Sequence, residues 1–132
     1  MAAAGQRRGG RGGERRRLTR SGDFDRVFRE GRSFATRHLV LHAFPRPGAE
    51  ATEEAPPRLG ISVGRRVGGA VERNRVKRLL REAFAAVAPG LPPSHDFVLV
   101  ARAEAAELAG DGGEPAFETA LRGLVDEAGL WR

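Results

Sequence analysis

The 132-residue sequence has no cysteine and no tyrosine, and only one lysine, one methionine and one tryptophan. Without cysteine there is no disulfide framework, no thiolate nucleophile and no cysteine-based zinc site, which points to a reducing, cytoplasmic setting and closes several enzyme classes. Long apolar runs are missing too. Stretches such as residues 97–101 fall far short of the roughly 20 residues that cross a bilayer, so no membrane partner is expected. No apolar segment follows the arginine-rich start, which excludes a secretory or twin-arginine signal and leaves an organellar transit peptide as the alternative to a plain basic arm. Glycines stand at 64, 68 and 69, but no Gly-Lys-Ser/Thr follows them, so they do not form a Walker loop and no small-molecule cofactor is implied.

What the chain does have is arginine: 22 of its 23 cationic residues, against 17 acids, with a net charge of +6. The charge falls in blocks. Residues 1–20 hold seven Arg and one Glu, and residues 58–81 hold eight bases and one acid, whereas residues 82–132 hold three bases and nine acids. A polyanion would therefore meet the N-terminal arm and the 58–81 segment, and the C-terminal part would face away from it. A chain this long buries roughly two thirds of its unfolded surface, enough for one modest core and a binding function rather than a deep catalytic cavity.

Residues 1–17 are mostly Ala, Gly and Arg, too poor in apolar surface to offset the entropy of ordering. They are expected to form a disordered arm ahead of a domain spanning 18–130. Their Arg8-Gly9-Gly10 and Arg11-Gly12-Gly13 triplets resemble RNA-binding RGG segments, and a merely solubilising extension is the alternative. Ser21 caps a predicted helix with Phe24, Val27 and Phe28 on one face and Gly31 at its end. Alternation predicts strands over 33–35, 38–44 and 58–63, with a proline-rich loop at 45–57. A helix is predicted from 71 to about 87, stopped by Pro89-Gly90, then a strand over 96–101 and a last helix entered through Pro115 and ended at Gly129. The order α-β-β-β-α-β-α makes an α+β sandwich with helices on a mostly antiparallel sheet.

On the 71–87 helix, Val76, Leu79, Leu80, Ala83, Phe84 and Val87 fall within an arc of about 140°, and Arg73, Asn74, Arg75, Lys77, Arg78 and Arg81 are its cationic and amide positions. Arg73, Lys77 and Arg81 form an i, i+4, i+8 row whose members repel one another, and only Glu72 and Glu82 are nearby to relieve them. A polyanion resolves that repulsion. Arginine forks suit phosphate, asparagine offers a paired donor and acceptor to a sugar or base edge, and Arg65 and Arg66 flank a turn whose glycines let backbone approach closely.

The stretch GISVGRRVGGAVERNRVKRLLREAF, residues 60–84, closely resembles the signature of the bacterial ribonuclease P protein component, and SGDFDRVFREG, residues 21–31, resembles that family's first helix. The resemblance covers about residues 15–128. It implies a ribosomal protein S5 domain 2-like fold with a left-handed crossover from the third to the fourth strand. It also implies a role as partner to a catalytic ribonuclease P RNA that removes the 5′ leader of precursor tRNA. The RNA-binding residues carried over are Arg65, Arg66, Arg73, Asn74, Arg75, Lys77, Arg78 and Arg81. A cleft for the single-stranded leader is lined by Phe24, Phe28, Val40 and His42. Plain core packing is the competing account of the two phenylalanines. His42 stands where the family often has tyrosine, which implies weaker, pH-dependent stacking.

A protein-borne catalytic set does not emerge. His38 and His42 lie about 13 Å apart along a strand, too far for a shared proton relay. His95 is alone in a proline-rich loop, and Asp23 and Asp25 suit the first turn of a helix better than a metal. Hydrolysis is therefore assigned to the RNA with Mg²⁺ held mainly by RNA and substrate, the protein contributing substrate affinity and charge screening. The alternative is a non-catalytic, ribosomal-type binder of structured RNA.

Overall fold

The computed structural model describes residues 29, 31–45 and 56–132. The arm, the first predicted helix with Phe24 and Phe28, and most of the 45–57 loop lie outside the described residues. The elements run β1 (Arg32–Ala35), β2 (Leu39–Pro45), β3 (Arg58–Val63), a 3₁₀ turn (Arg65–Val67), α1 (Ala70–Val87), a second 3₁₀ turn (Ala88–Gly90), β4 (His95–Ala101), α2 (Ala105–Asp111) and α3 (Gly113–Ala128). No helix among the described residues is long and apolar enough to cross a membrane.

One four-stranded sheet has the order β1-β2-β4-β3. β1–β2 and β2–β4 are antiparallel, and β3–β4 are parallel and joined through α1. β4 is thus central although it is the last strand in the chain. Its Phe97, Val98 and Leu99 are all fully buried, the near-continuous apolar run of a strand covered on both faces.

Period-two alternation divides the sheet. Leu39, Leu41 and Ala43, Leu59, Ile61 and Val63, and Phe97, Leu99 and Ala101 form one buried face. On this face Val76, Leu79, Leu80, Ala83, Phe84 and Val87 of α1 are buried, together with Phe117, Leu121, Leu124, Val125 and Ala128 of α3. The opposite face is built in three rows by the register: Val40, Val100 and Ser62; His42, Val98 and Gly60; Phe44, Asp96 and Arg58.

The ends of the elements have local causes. Gly129 adopts φ 67°, and the bonds Gly129 N–H to Asp126 O and Leu130 N–H to Val125 O, both 3.1 Å, close α3 in a Schellman motif. His38 falls outside β2, because the Thr36 hydroxyl accepts from the His38 and Leu39 amides at 3.2 and 3.1 Å and shapes a turn there. α2 is an element the sequence pattern does not predict: it has seven residues and no capping side chain, so tertiary contacts hold it rather than its own propensity.

Gly68, between the 3₁₀ turn and α1, has φ 155° and ψ −164°, a region open essentially to glycine alone. A Cβ there would also lie 2.9 Å from the Glu72 Cβ. Gly68→Ala is expected to cost about 1–3 kcal/mol, measured as a lowered urea midpoint.

Candidate nucleic-acid interface

Residues 62–77 fold into a groove because β3 ends at Val63, the 3₁₀ turn reverses the chain and α1 returns alongside it. The groove has a volume of about 500 Å³ and is lined by Ser62, Val63, Gly64, Arg65, Ala70, Arg73, Asn74 and Lys77. Gly69 supplies no capping side chain to α1, so the positive end of the helix dipole opens onto the groove. Since β3 is an edge strand of the sheet, the cations overhang an edge.

Arg65, Arg66, Asn74, Arg75 and Arg78 are exposed, and Arg73, Lys77 and Arg81 are half-buried. The Lys77 amine is held below its ordinary pKa by burial and then by the neighbouring Arg81 and Arg73, which is the mutual repulsion implied by their i, i+4 spacing. The Arg73 guanidinium bends back over the turn, 3.4 Å from the Gly68 carbonyl. Among the described residues, no carboxylate pairs with Arg65, Arg66, Arg73, Arg75 or Arg78. Acids gather elsewhere: the Glu114 carboxyl is held above its ordinary pKa by burial, by Glu118 and by Glu82. Val71, 84% exposed, is a large apolar side chain on the outer stripe of α1, beside Asn74, Arg75 and Arg78 by helical spacing.

Arg75 behaves differently from its neighbours. Its Nη2 donates to the Ala109 carbonyl of α2 at 2.9 Å, a contact with no signal in the sequence because its partner is 34 residues away.

The second sequence-derived site is only partly within view. Val40 and His42 are half-buried on the opposite face of β2, beside Val100 and Val98 of β4, while Phe24 and Phe28 lie outside the described residues. Ser62, in the groove wall, shares a row with Val100 and Val40. The two sites are therefore connected across the sheet, and two interstrand spacings, about 10 Å, separate β2 from β3. His38 is turned toward the Glu107 carboxylate, with Nε2 3.5 Å from Oε1. His95 Nδ1 lies 3.0 Å from the Pro93 carbonyl.

Burial holds the His42 pKa below its ordinary value. Above about pH 6.5, the unfolded value, both folded and unfolded imidazoles are neutral. As the pH falls from there through the depressed folded value, the unfolded chain takes up the proton first and stability is lost. His42→Phe is expected to flatten this part of the pH–stability profile, measured as urea midpoints. An unchanged decline would assign it to another group.

A family model described as Ribonuclease P matches residues 13–125. The chain belongs to the ribonuclease P protein family. The ribonuclease P protein component of Shouchella clausii is 42% identical over 92 residues, 70% of this chain and 71% of that protein. That of Bacillus pumilus is 37% identical over 95 residues, 72% and 76% of the two chains. Among solved structures, the RNase P protein of Staphylococcus aureus aligns with a TM-score of 0.72 at 27% identity, covering 89% of this chain and 98% of that one. The RNase P protein of Thermotoga maritima aligns with a TM-score of 0.67 at 29% identity, covering 82% and 94%. As a ribonuclease P protein, the chain is the protein component of the ribonucleoprotein endoribonuclease that processes the 5′ end of tRNA, and RNA is its partner. The groove, the cation row and the Val40–His42 face of β2 all fall inside the matched region.

Proposed function

We propose that the α1 groove binds the ribonuclease P RNA while the sheet face that carries Val40 and His42 receives the 5′ leader of precursor tRNA. The observation that carries this reading is the row Ser62, Val100, Val40, which joins the groove wall to the floor beside His42. Unstacked bases need flat or apolar platforms, and phosphates need nearby cations. Val40, Val100 and a neutral His42 offer the first, and Arg65, Arg73 and Lys77 the second. The proposal includes Phe24 and Phe28 as the facing wall of the cleft.

Phosphodiester hydrolysis is assigned to the RNA, with Mg²⁺ held by RNA and substrate. Among the described residues no three His, Asp or Glu side chains gather into a metal-ligating group. In this reading the cations of the described residues favour the ion through electrostatics. By screening phosphates they leave bound RNA better able to retain the ion, which supplies a polarised nucleophile and charge stabilisation when present. The reading extends to a cytoplasmic location, an arm over 1–17 ahead of a domain over 18–130, and a left-handed, ribosomal protein S5 domain 2-like connection from β3 to β4.

The test compares affinity for precursor tRNA carrying several leader nucleotides with affinity for mature tRNA, both measured with the ribonuclease P RNA present. Leader-dependent tightening is expected. Equal affinities would leave a binder of structured RNA without a leader site.

A further inference from the structure

Arg75 sits in the most basic stretch of the chain, yet it lies on the flank of α1 turned toward α2 rather than toward the groove. Ala70, Arg73, Asn74 and Lys77 line the groove, whereas Arg75 Nη2 donates to the Ala109 carbonyl at 2.9 Å. Ala109 belongs to the last turn of α2, where carbonyls run out of helical amides to accept from, and the residue is 1% exposed. A buried carbonyl without a donor is costly, and a cation at this end of a helix also meets the negative end of its dipole.

α2 passes the restraint on. Its Glu107 receives Nη2 and Nε of Arg37 at 3.1 and 3.3 Å and lies 3.5 Å from His38 Nε2, both in the β1–β2 turn. The Arg37 hydrogen bond holds the Glu107 carboxyl below the usual carboxylate range, so the pair stays charged through neutrality. Arg102 Nη1 closes the same corner on the Thr36 carbonyl at 2.8 Å. A seven-residue helix cannot stand by itself; Ala105 and Ala109 pack it into the core, and these side chains add the polar restraints toward α1 and the turn.

We propose that Arg75 is a positioning residue, fastening α2, and through Glu107 the β1–β2 turn, to the flank of the RNA-binding helix while making no phosphate contact of its own. The inference rests on α1 being the RNA interface, and it separates the cations of that interface. Arg73 and Lys77, on the groove side, meet phosphate, and Arg75 orders the structure behind them.

Arg75→Gln, Arg75→Lys and Arg73→Gln in the full chain test this with two readouts. One is the slope of log affinity for the ribonuclease P RNA against log salt, between about 50 and 200 mM. The other is amide hydrogen exchange over residues 105–111 in the free protein. Arg73→Gln is expected to lower the slope by about 0.7–0.9 with little change in exchange. Arg75→Gln should leave the slope at its parental value while exchange at 105–111 accelerates roughly tenfold, the change expected when a local restraint is lost. Arg75→Lys, whose ammonium can still donate to a carbonyl, should restore protection. A slope lowered by one phosphate in Arg75→Gln overturns the proposal, and so does unchanged exchange. If Arg73→Gln also leaves the slope unaltered, the α1 interface itself is refuted and the assignment of Arg75 goes with it.

Discussion

Arg58→Met is expected to destabilise the protein by about 3–5 kcal/mol, seen as a large fall in the urea midpoint. Asp96 is fully buried, and Arg58 holds it with two parallel bonds, Nε to Oδ1 at 2.8 Å and Nη2 to Oδ2 at 2.9 Å. Arg58 opens β3 and Asp96 is the second residue of β4, directly across the parallel ladder. Such a pair is weak support for stability in itself, because desolvating two charges offsets most of their attraction. Removing Arg58 is another matter, since it takes both of these bonds from a carboxylate that is fully buried. The control is Arg58→Met with Asp96→Leu, which should recover most of the loss, since apolar replacements remove both charges of the pair together. A double variant as unstable as the single one would refute the pairing argument.

Replacing Arg73, Lys77 and Arg81 together by Gln is expected to weaken binding to the ribonuclease P RNA about 100-fold at 0.15 M salt, from counterion release at three phosphates. The log–log salt slope should fall by about 2–3. Folding should survive, even improve slightly, because repulsion at i, i+4 costs a few tenths of a kcal/mol per pair. The Lys77 amine is depressed first by burial and then by that repulsion from Arg81 and Arg73. Parallel measurement of the urea midpoint separates the two effects: lost affinity with an intact midpoint supports the interface, whereas unfolding would mean these side chains belong to the core.

How far the sequence carries a reader depends on whether the signal is local. The six apolar positions of α1 follow from helical spacing alone and are all buried, and the bounds of β3 follow from the alternation of Leu59, Ile61 and Val63. Gly129 announces the end of α3 through its freedom at positive φ. The order of strands was not legible, because alternation says which face a residue takes and nothing about its neighbour. The unbroken run Phe97, Val98, Leu99 and Val100 does hint at a central strand. α2 carries no local signal because residues 105–111 offer a few alanines, one leucine and no cap, and its polar anchors Arg75 and Arg37 come from distant parts of the chain. For the same reason the sequence grouped Arg75 with the RNA contacts, and the structure gives it a partner of its own. The cation row was legible because charge and period coincide on one helix, but its continuity with Val40 through Ser62 exists only in the register of the sheet.

The central place of β4 also sets a timetable for synthesis. β1 and β2 can pair as soon as both have emerged, but β3 has no strand neighbour other than β4 in the described sheet. Until His95–Ala101 leaves the ribosome, one flank of β2 and all of β3 carry unpaired backbone groups and uncovered aliphatic side chains. Pairings this distant in sequence close slowly, and such nascent edges invite association between chains. A nascent chain halted before residue 95 should therefore be markedly more prone to protease attack and clumping than one released with its fourth strand in hand.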